Sequence, residues 1–232
     1  MPGGRVGRVN EPVLLLSGSG LPAWIWDEVR AGLDESAVAP RPTSPDAGPE
    51  AYAAAALAAV DWPRFTVVAH SVGGVVAQAL LAAAPERITG VLGVSAAWPA
   101  PGRSFADALR VPQRWLLPLI LRLAGTRPPE KQLRAGIGAG LPAQTVDRLV
   151  AEFTPESRQL FVTPAPVADG SPARRGYVRT TGDQELPLPV QDRAAAGLGG
   201  DFRRDLATGH LPMLEDPAGL LEVVREFLRP AA

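Results

Sequence analysis

A serine held between a strand and a helix can act as a nucleophile, and Ala69-His70-Ser71-Val72-Gly73-Gly74 offers that setting. Such a turn forces the serine backbone into a strained conformation and lifts its hydroxyl above the sheet. The residues two before and two after must therefore be small. Ala69 and Gly73 meet that need, although glycine is the more usual residue at the first position. A serine hydroxyl needs a base, and the chain has two histidines, His70 and His210. His70 adjoins the nucleophile, and neighbouring side chains at such a turn point apart. It is therefore expected to be packed or hydrogen-bonded beside the turn. That leaves His210, in Thr208-Gly209-His210-Leu211-Pro212, as the base. The base in turn needs a carboxylate that fixes its tautomer and stabilises the imidazolium. Asp183, in Thr181-Gly182-Asp183-Gln184-Glu185, is the candidate, with Glu185 as the fallback. A developing oxyanion would need two donors: the backbone N–H of Val72 and, from Ser17-Gly18-Ser19-Gly20, that of Ser19. Each residue also has a plain use: a chance serine in a turn, a surface histidine, a turn-capping aspartate.

These residues require a particular scaffold. Val13–Leu16 is a continuous apolar run ending in the glycine-rich turn, as expected of a strand buried on both faces. A helical spacing follows over Trp24–Leu33, with Trp24 and Trp26 expected in the core. A weak strand at Val38-Ala39 precedes a proline-rich stretch, and Ala51–Val60 is helical. Phe65–Ala69 is a third strand. Gly73–Ala84 is a helix with Val76, Leu80 and Ala83 on one face, and Val91–Val94 is a fourth strand. The rhythm then breaks: residues 99–175 show helical stretches at Phe105–Arg110, Trp115–Ala124 and Ala143–Phe153, many prolines and no convincing strand. It resumes with a strand at Gly176–Thr181, a helix from Val190 to Ala196, a strand at Phe202–Leu206 and a helix over Pro217–Leu228. Alternating strands and helices predict an α/β fold with a mainly parallel sheet of about six strands and helices on both faces. Residues 1–98 and 176–232 would form its core, and 99–175 a helical insertion. Trp115, Leu116, Leu119 and Ile120 are expected either to pack that insertion or to line a pocket.

Bulk properties narrow the function classes. The chain has 232 residues, enough for one large domain with its own core. The net charge is −1, from 24 acids against 23 bases, which offers no basic excess for a nucleic acid or an acidic membrane. No cysteine is present, so disulfides, thiolate catalysis and cysteine metal sites are excluded. No cofactor or metal ion is expected. The start, Met-Pro-Gly-Gly-Arg-Val-Gly-Arg, does not read as a signal peptide, and no apolar run reaches the length of a membrane span. A cytoplasmic protein acting on a small molecule is expected; the oligomeric state is left open.

Taken together, the residues resemble the α/β-hydrolase superfamily over essentially the whole chain, including the order Ser, Asp, His. Within it, Ser17–Trp26, Tyr177–Asp183 and Gly209–Leu214 resemble the small branch of plant methylesterases, hydroxynitrile lyases and their bacterial esterase relatives. The resemblance implies a fold that begins directly at Val13–Leu16, and a helical cap over the site formed by residues 99–175. Two positions depart from that branch. The loop after the first strand usually begins His-Gly, and here it is Ser17-Gly18; that histidine supports the oxyanion loop. The lyases carry lysine directly after the histidine and a threonine in the oxyanion loop. Here those positions are Leu211 and Gly18, so lyase activity is not expected. The resemblance implies an esterase-like serine hydrolase acting through an acyl-enzyme, on an ester or a thioester, lactone or amide. The competing reading is a binding or receptor-like protein that keeps the pocket and turns over slowly.

Overall fold

Four consecutive apolar residues are stable as a strand only if both faces are covered, and this is how β1 (Val13–Leu16) sits. Leu14 and Leu16 join one core, Val13 and Leu15 the other, as the two-residue alternation of a strand requires. Full burial of each leucine contributes about 1.5–3 kcal/mol. The computed structural model describes residues 11–167, 171 and 173–229; the reading of the extreme N-terminus lies outside them. The other strands are β2 (Ser36–Val38), β3 (Phe65–His70), β4 (Ile88–Val94), β5 (Arg174–Thr180) and β6 (Phe202–Leu206). They form one sheet in the order β2-β1-β3-β4-β5-β6, with every pairing parallel. The strand order reverses between β1 and β3. In such sheets the crevice at the carboxyl ends beside the reversal is where ligands bind.

Helices cover both faces. Helices α1 (Asp27–Ala31) and α2 (Pro49–Ala58) precede β3, and α3 (Gly73–Ala83) follows it. Between β4 and β5 come α4 (Phe105–Ala108), α5 (Gln113–Ala124), α6 (Glu130–Ala135), α7 (Ala143–Glu152) and α8 (Gln159–Val162). The chain closes with α9 (Leu188–Leu198), α10 (Pro212–Glu215) and α11 (Pro217–Leu228). Side chains of α2, α3 and α9 build the core on one face, and those of α1, α10 and α11 the core on the other. Helix α3 is buried on every side through Leu81 rather than along one stripe, and Ala83 is exposed.

Three expectations need correction. The helical spacing after β1 is interrupted: Ala23–Trp26 forms a 3₁₀ turn before α1 begins at Asp27. Trp26 is fully buried, but Trp24 is only half-buried, its ring lying 4.1 Å beneath the Arg148 guanidinium. Trp115, Leu116, Leu119 and Ile120 neither pack the insertion nor line a described cavity; they face solvent, Trp115 at 67% exposure. The cause is helical phase. Leu117 and Leu121 point inward from α5, and the remaining apolar residues are turned outward on the opposite face. Among the described residues no helix is long and apolar enough to cross a membrane.

Candidate active site

The strongest local signal in the sequence forms a strained turn. Ser71 follows β3 and has φ of 54°, in the left-handed region that a residue with a Cβ rarely enters. Its carbonyl accepts from the amides of Gly74 and Ala97 at 3.1 and 2.9 Å, so the turn is tied to α3 and to the end of β4. Gly18 must be glycine here, because a Cβ would lie 2.9 Å from that of Ser71 and 2.8 Å from His70 Nδ1.

Asp183 and His210 stand on neighbouring strand ends. Beyond β5 and β6 the pairing continues, with Thr181 and Gly182 donating to the carbonyls of Leu206 and Thr208, each at 2.9 Å. This draws the two loops together. His210 Nδ1 lies 2.7 Å from Asp183 Oδ2, and its Nε2 lies 3.2 Å from Ser71 Oγ. A carboxylate can only accept, so Nδ1 carries the proton and Nε2 presents a lone pair to the serine hydroxyl. All three side chains are buried.

The Asp183 carboxylate is held by more groups than the sequence suggests. Oδ2 also accepts from the hydroxyls of Ser95 and Thr180, the latter at 3.0 Å. Oδ1 accepts from the amides of Glu185 and Leu186 at 2.8 and 3.0 Å. Burial opposes ionisation, but the His210 and Ser95 bonds and the Leu186 amide outweigh it and hold Asp183 well below the usual carboxylate range. Glu185 contributes only its backbone here; its side chain is exposed. Ser95 and Thr180 were not singled out from the sequence. Their one signal is position, since both stand at carboxyl ends of parallel strands. Gln191 was missed as well: from α9, fully buried, it bonds both backbone groups of Thr180 and the carbonyl of Leu186.

His70 packs against His210. Its ring centroid is 4.7 Å from that of His210, and its Nε2 donates to the His210 carbonyl at 2.8 Å. Burial, then the neighbouring His210, depress its pKa from 6.5 to about 3. It stays neutral and holds the His210 backbone. A linkage follows. The unfolded chain protonates this ring below pH 6.5 and the folded chain does not until about pH 3. Stability is therefore complete above 6.5 and is lost as pH falls, with a limiting slope of about 1.4 kcal/mol per pH unit. Urea unfolding between about pH 6.5 and 5 should show this slope, and His70→Asn should flatten it. An unchanged slope in the variant would assign the proton uptake elsewhere.

The loop after β1 is braced from several sides. Ser17 Oγ accepts from Trp26 Nε1 at 3.0 Å. The Gly20 amide donates to Glu156 Oε1 at 3.0 Å, and its carbonyl accepts from Thr154, also at 3.0 Å. Gly20 has φ of 72° and abuts the Phe153 ring. Glu156 is buried between α7 and α8, and also accepts from Arg41 Nε and the Tyr52 hydroxyl, both at 2.6 Å. Glu156 gave no sequence signal. Val72, the residue after Ser71, caps the start of α3, and Ser19 lies in the loop after β1. Among the described residues no group of three or more His, Asp or Glu could hold a metal ion.

A sequence model of the Alpha/beta hydrolase family matches residues 13–223. No curated protein matches the sequence. Among solved structures, an extracellular α/β-hydrolase from a Paenibacillus species superposes with a TM-score of 0.81 at 18% identity, covering 95% of this chain and all of that one. It is described as sharing structural and functional homology with tobacco salicylic acid binding protein 2. A pyrethroid hydrolase from Sphingobium faniae JZ-2 gives 0.71 at 22% identity, over 94% of this chain and 97% of its own. Polyneuridine aldehyde esterase gives 0.73 at 16% identity, over 95% and 100%. At these identities the likeness is one of fold.

Proposed function

The chain belongs to the α/β-hydrolase family, and from that premise we propose that it is a serine hydrolase cleaving a carboxylic ester of a small or medium apolar substrate. The observation that carries this reading is the unbroken line from Asp183 through His210 to Ser71, at 2.7 and 3.2 Å. Ser71 Oγ attacks the carbonyl carbon while its proton passes to His210 Nε2. Asp183 stabilises the imidazolium without taking the proton. The amides of Val72 and Ser19 receive the oxyanion. When the tetrahedral intermediate collapses, the bond to the alcohol oxygen breaks and His210 returns its proton to that oxygen. Water then repeats the sequence on the acyl-enzyme, releasing the acid and restoring Ser71. Thioesters, lactones and amides can follow the same path. The helices between β4 and β5 serve as the cap, with the Phe153–Glu156 stretch touching the oxyanion loop.

Neighbours described as an esterase and a pyrethroid hydrolase support ester chemistry. The balanced charge supports a small-molecule substrate over a nucleic acid. A cytoplasmic location is proposed from the sequence alone, and one protein of the same fold is described as extracellular. A slow, ligand-binding protein is the second reading. It is favoured by the absence of the usual histidine at Ser17 and by the neighbour likened to a salicylic acid binding protein. Two features weigh against it: pure binding needs neither a serine at φ 54° nor a carboxylate with five donors.

The test is covalent labelling. A fluorophosphonate should add one equivalent, mapped by peptide mass to Ser71, and a chromogenic acyl ester should give a product burst followed by steady turnover. An adduct elsewhere, or none, rejects the serine mechanism. A burst without turnover selects the binding reading.

A further inference from the structure

Resting on the serine-hydrolase reading, we propose that the cavity beside the oxyanion loop is the acyl pocket, and that this protein selects its substrates by an apolar acyl group of medium length rather than by the alcohol. The cavity has a volume of about 320 Å³. Ser17 and Leu21 of the oxyanion loop line it, together with Val72 and Val76 at the start of α3. Ser71 itself is not part of the wall, but Val72, the next residue in the chain, is, so the cavity adjoins the turn that carries Ser71. It lies over the carboxyl ends of β1 and β2, where Val38 and Ala39 form its far wall.

The direction follows from proton transfer. The leaving oxygen must take its proton from His210 Nε2, so the alcohol lies on the side of the base. His210 and Asp183 reach the site from β6 and β5, on the opposite side of β3 from β1 and β2. Neither residue lines the cavity. The acyl group stays on Ser71 after the alcohol has left, and among the cavities the described residues form, this one lies on the side away from the base.

The lining sets the chemistry of the acyl group. The polar part of the wall is Ser17, whose hydroxyl already accepts from Trp26, and Arg41, Tyr52 and Glu156, which satisfy one another. Glu156 accepts from the Gly20 amide, from Arg41 and from Tyr52, while Arg41 also donates to the Leu21 carbonyl at 2.6 Å. Burial and the adjacent Glu156 push the Tyr52 phenol up, so it remains a protonated donor committed to that carboxylate. With charge balanced by charge, the rest of the surface is aliphatic and suits a neutral chain or ring. The volume lies near the lower end of ligand pockets, which run from about 300 to 1,000 Å³. A butanoyl to octanoyl chain or a single aromatic ring is of that scale.

Two ester series with purified protein test this. One varies the acyl chain from acetyl to octanoyl on a fixed chromogenic leaving group; the other varies the alcohol on a fixed acetyl group. kcat/KM should rise at least tenfold from acetyl to the best acyl chain, since a methylene in an apolar pocket is worth about that factor. It should vary far less across the alcohols. Ala39→Phe and Ala23→Phe each place a ring on the lining at a small residue that is not deeply buried. Each should lower the octanoyl-to-acetyl ratio by about tenfold or more. Thermal melts identify any variant that fails to fold, and the other then decides. Folded variants with an unchanged ratio, or with altered alcohol preference instead, overturn the acyl pocket. A wild-type protein that takes a fluorophosphonate on Ser71 but ignores acyl length overturns it as well, with the serine reading intact. A protein that neither takes the label nor cleaves any ester overturns both.

Discussion

Ser71→Ala should remove the proposed ester hydrolysis, with kcat falling on the order of 10⁴-fold or more, and should leave the fold in place. The hydroxyl is small and its loss opens no cavity large enough to collapse the site. The backbone bonds from Gly74 and Ala97 that hold the turn do not involve it. His210→Ala should cost about as much, because the hydroxyl is not activated without the imidazole. The double variant should be little worse than either single one, since the two groups act as a unit and their losses do not add. Steady-state kinetics on one chromogenic ester, beside thermal melts of all three variants, checks this. Losses that multiply in the double variant would mean that the two residues serve separate steps.

The second large effect is expected at Asp183. An asparagine there must place an NH₂ group where one carboxylate oxygen now stands. At the Oδ2 position it would face the His210 N–H and the hydroxyls of Ser95 and Thr180; at Oδ1 it would face the amides of Glu185 and Leu186. Either way donor meets donor. The escape open to His210 is to move its proton to Nε2, which then has no lone pair for Ser71. We expect Asp183→Asn to lower kcat on the order of 10⁴-fold. Stability should fall by about 1–3 kcal/mol from the unsatisfied donors. Glu185→Gln should stay within about twofold of wild type, because only its backbone meets the site and side chains of this kind are near neutral. The same kinetic assay with urea unfolding decides the ranking. A reversed order would make Glu185 the acid, and wild-type rates for both would leave Ser71 and His210 working without a third member.

The parallel sheet was legible because β1, β3 and β4 are rich in apolar residues and the turns after the strands carry glycine or proline. Strand and helix ends moved by a few residues, as for β2, which begins at Ser36 before the apolar pair that marked it. Short helices such as α6, α8 and α10 were missed. At four to six residues they have too few turns for a periodic signal, and tertiary contacts hold them. His210 could be chosen because the chain has two histidines, Ser71 because it sits between a strand and a helix with small residues around it, and Asp183 because it follows a strand in the order Ser, Asp, His. Glu156, Ser95 and Gln191 could not. Their partners lie from 5 to 136 residues away, and nothing in their immediate neighbours marks them. The outward face of α5 shows the converse error. Its apolar spacing is real, but amphipathic phase does not say which face meets the core when both are apolar.

Ser71 and His210 are 139 residues apart in the chain. A polypeptide leaving the ribosome amino end first can complete β1, β3 and the turn at Ser71 while the base has yet to be synthesised. The nascent chain thus carries a nucleophile with no proton acceptor and is chemically silent until its last quarter docks. The loop that bears His210 hangs from β6, which has a neighbour on one side only. Edge elements open at lower free energy than the interior. On the proposed mechanism, detachment of β6 alone carries away His210, so hydrolysis should be lost while the inner sheet still stands.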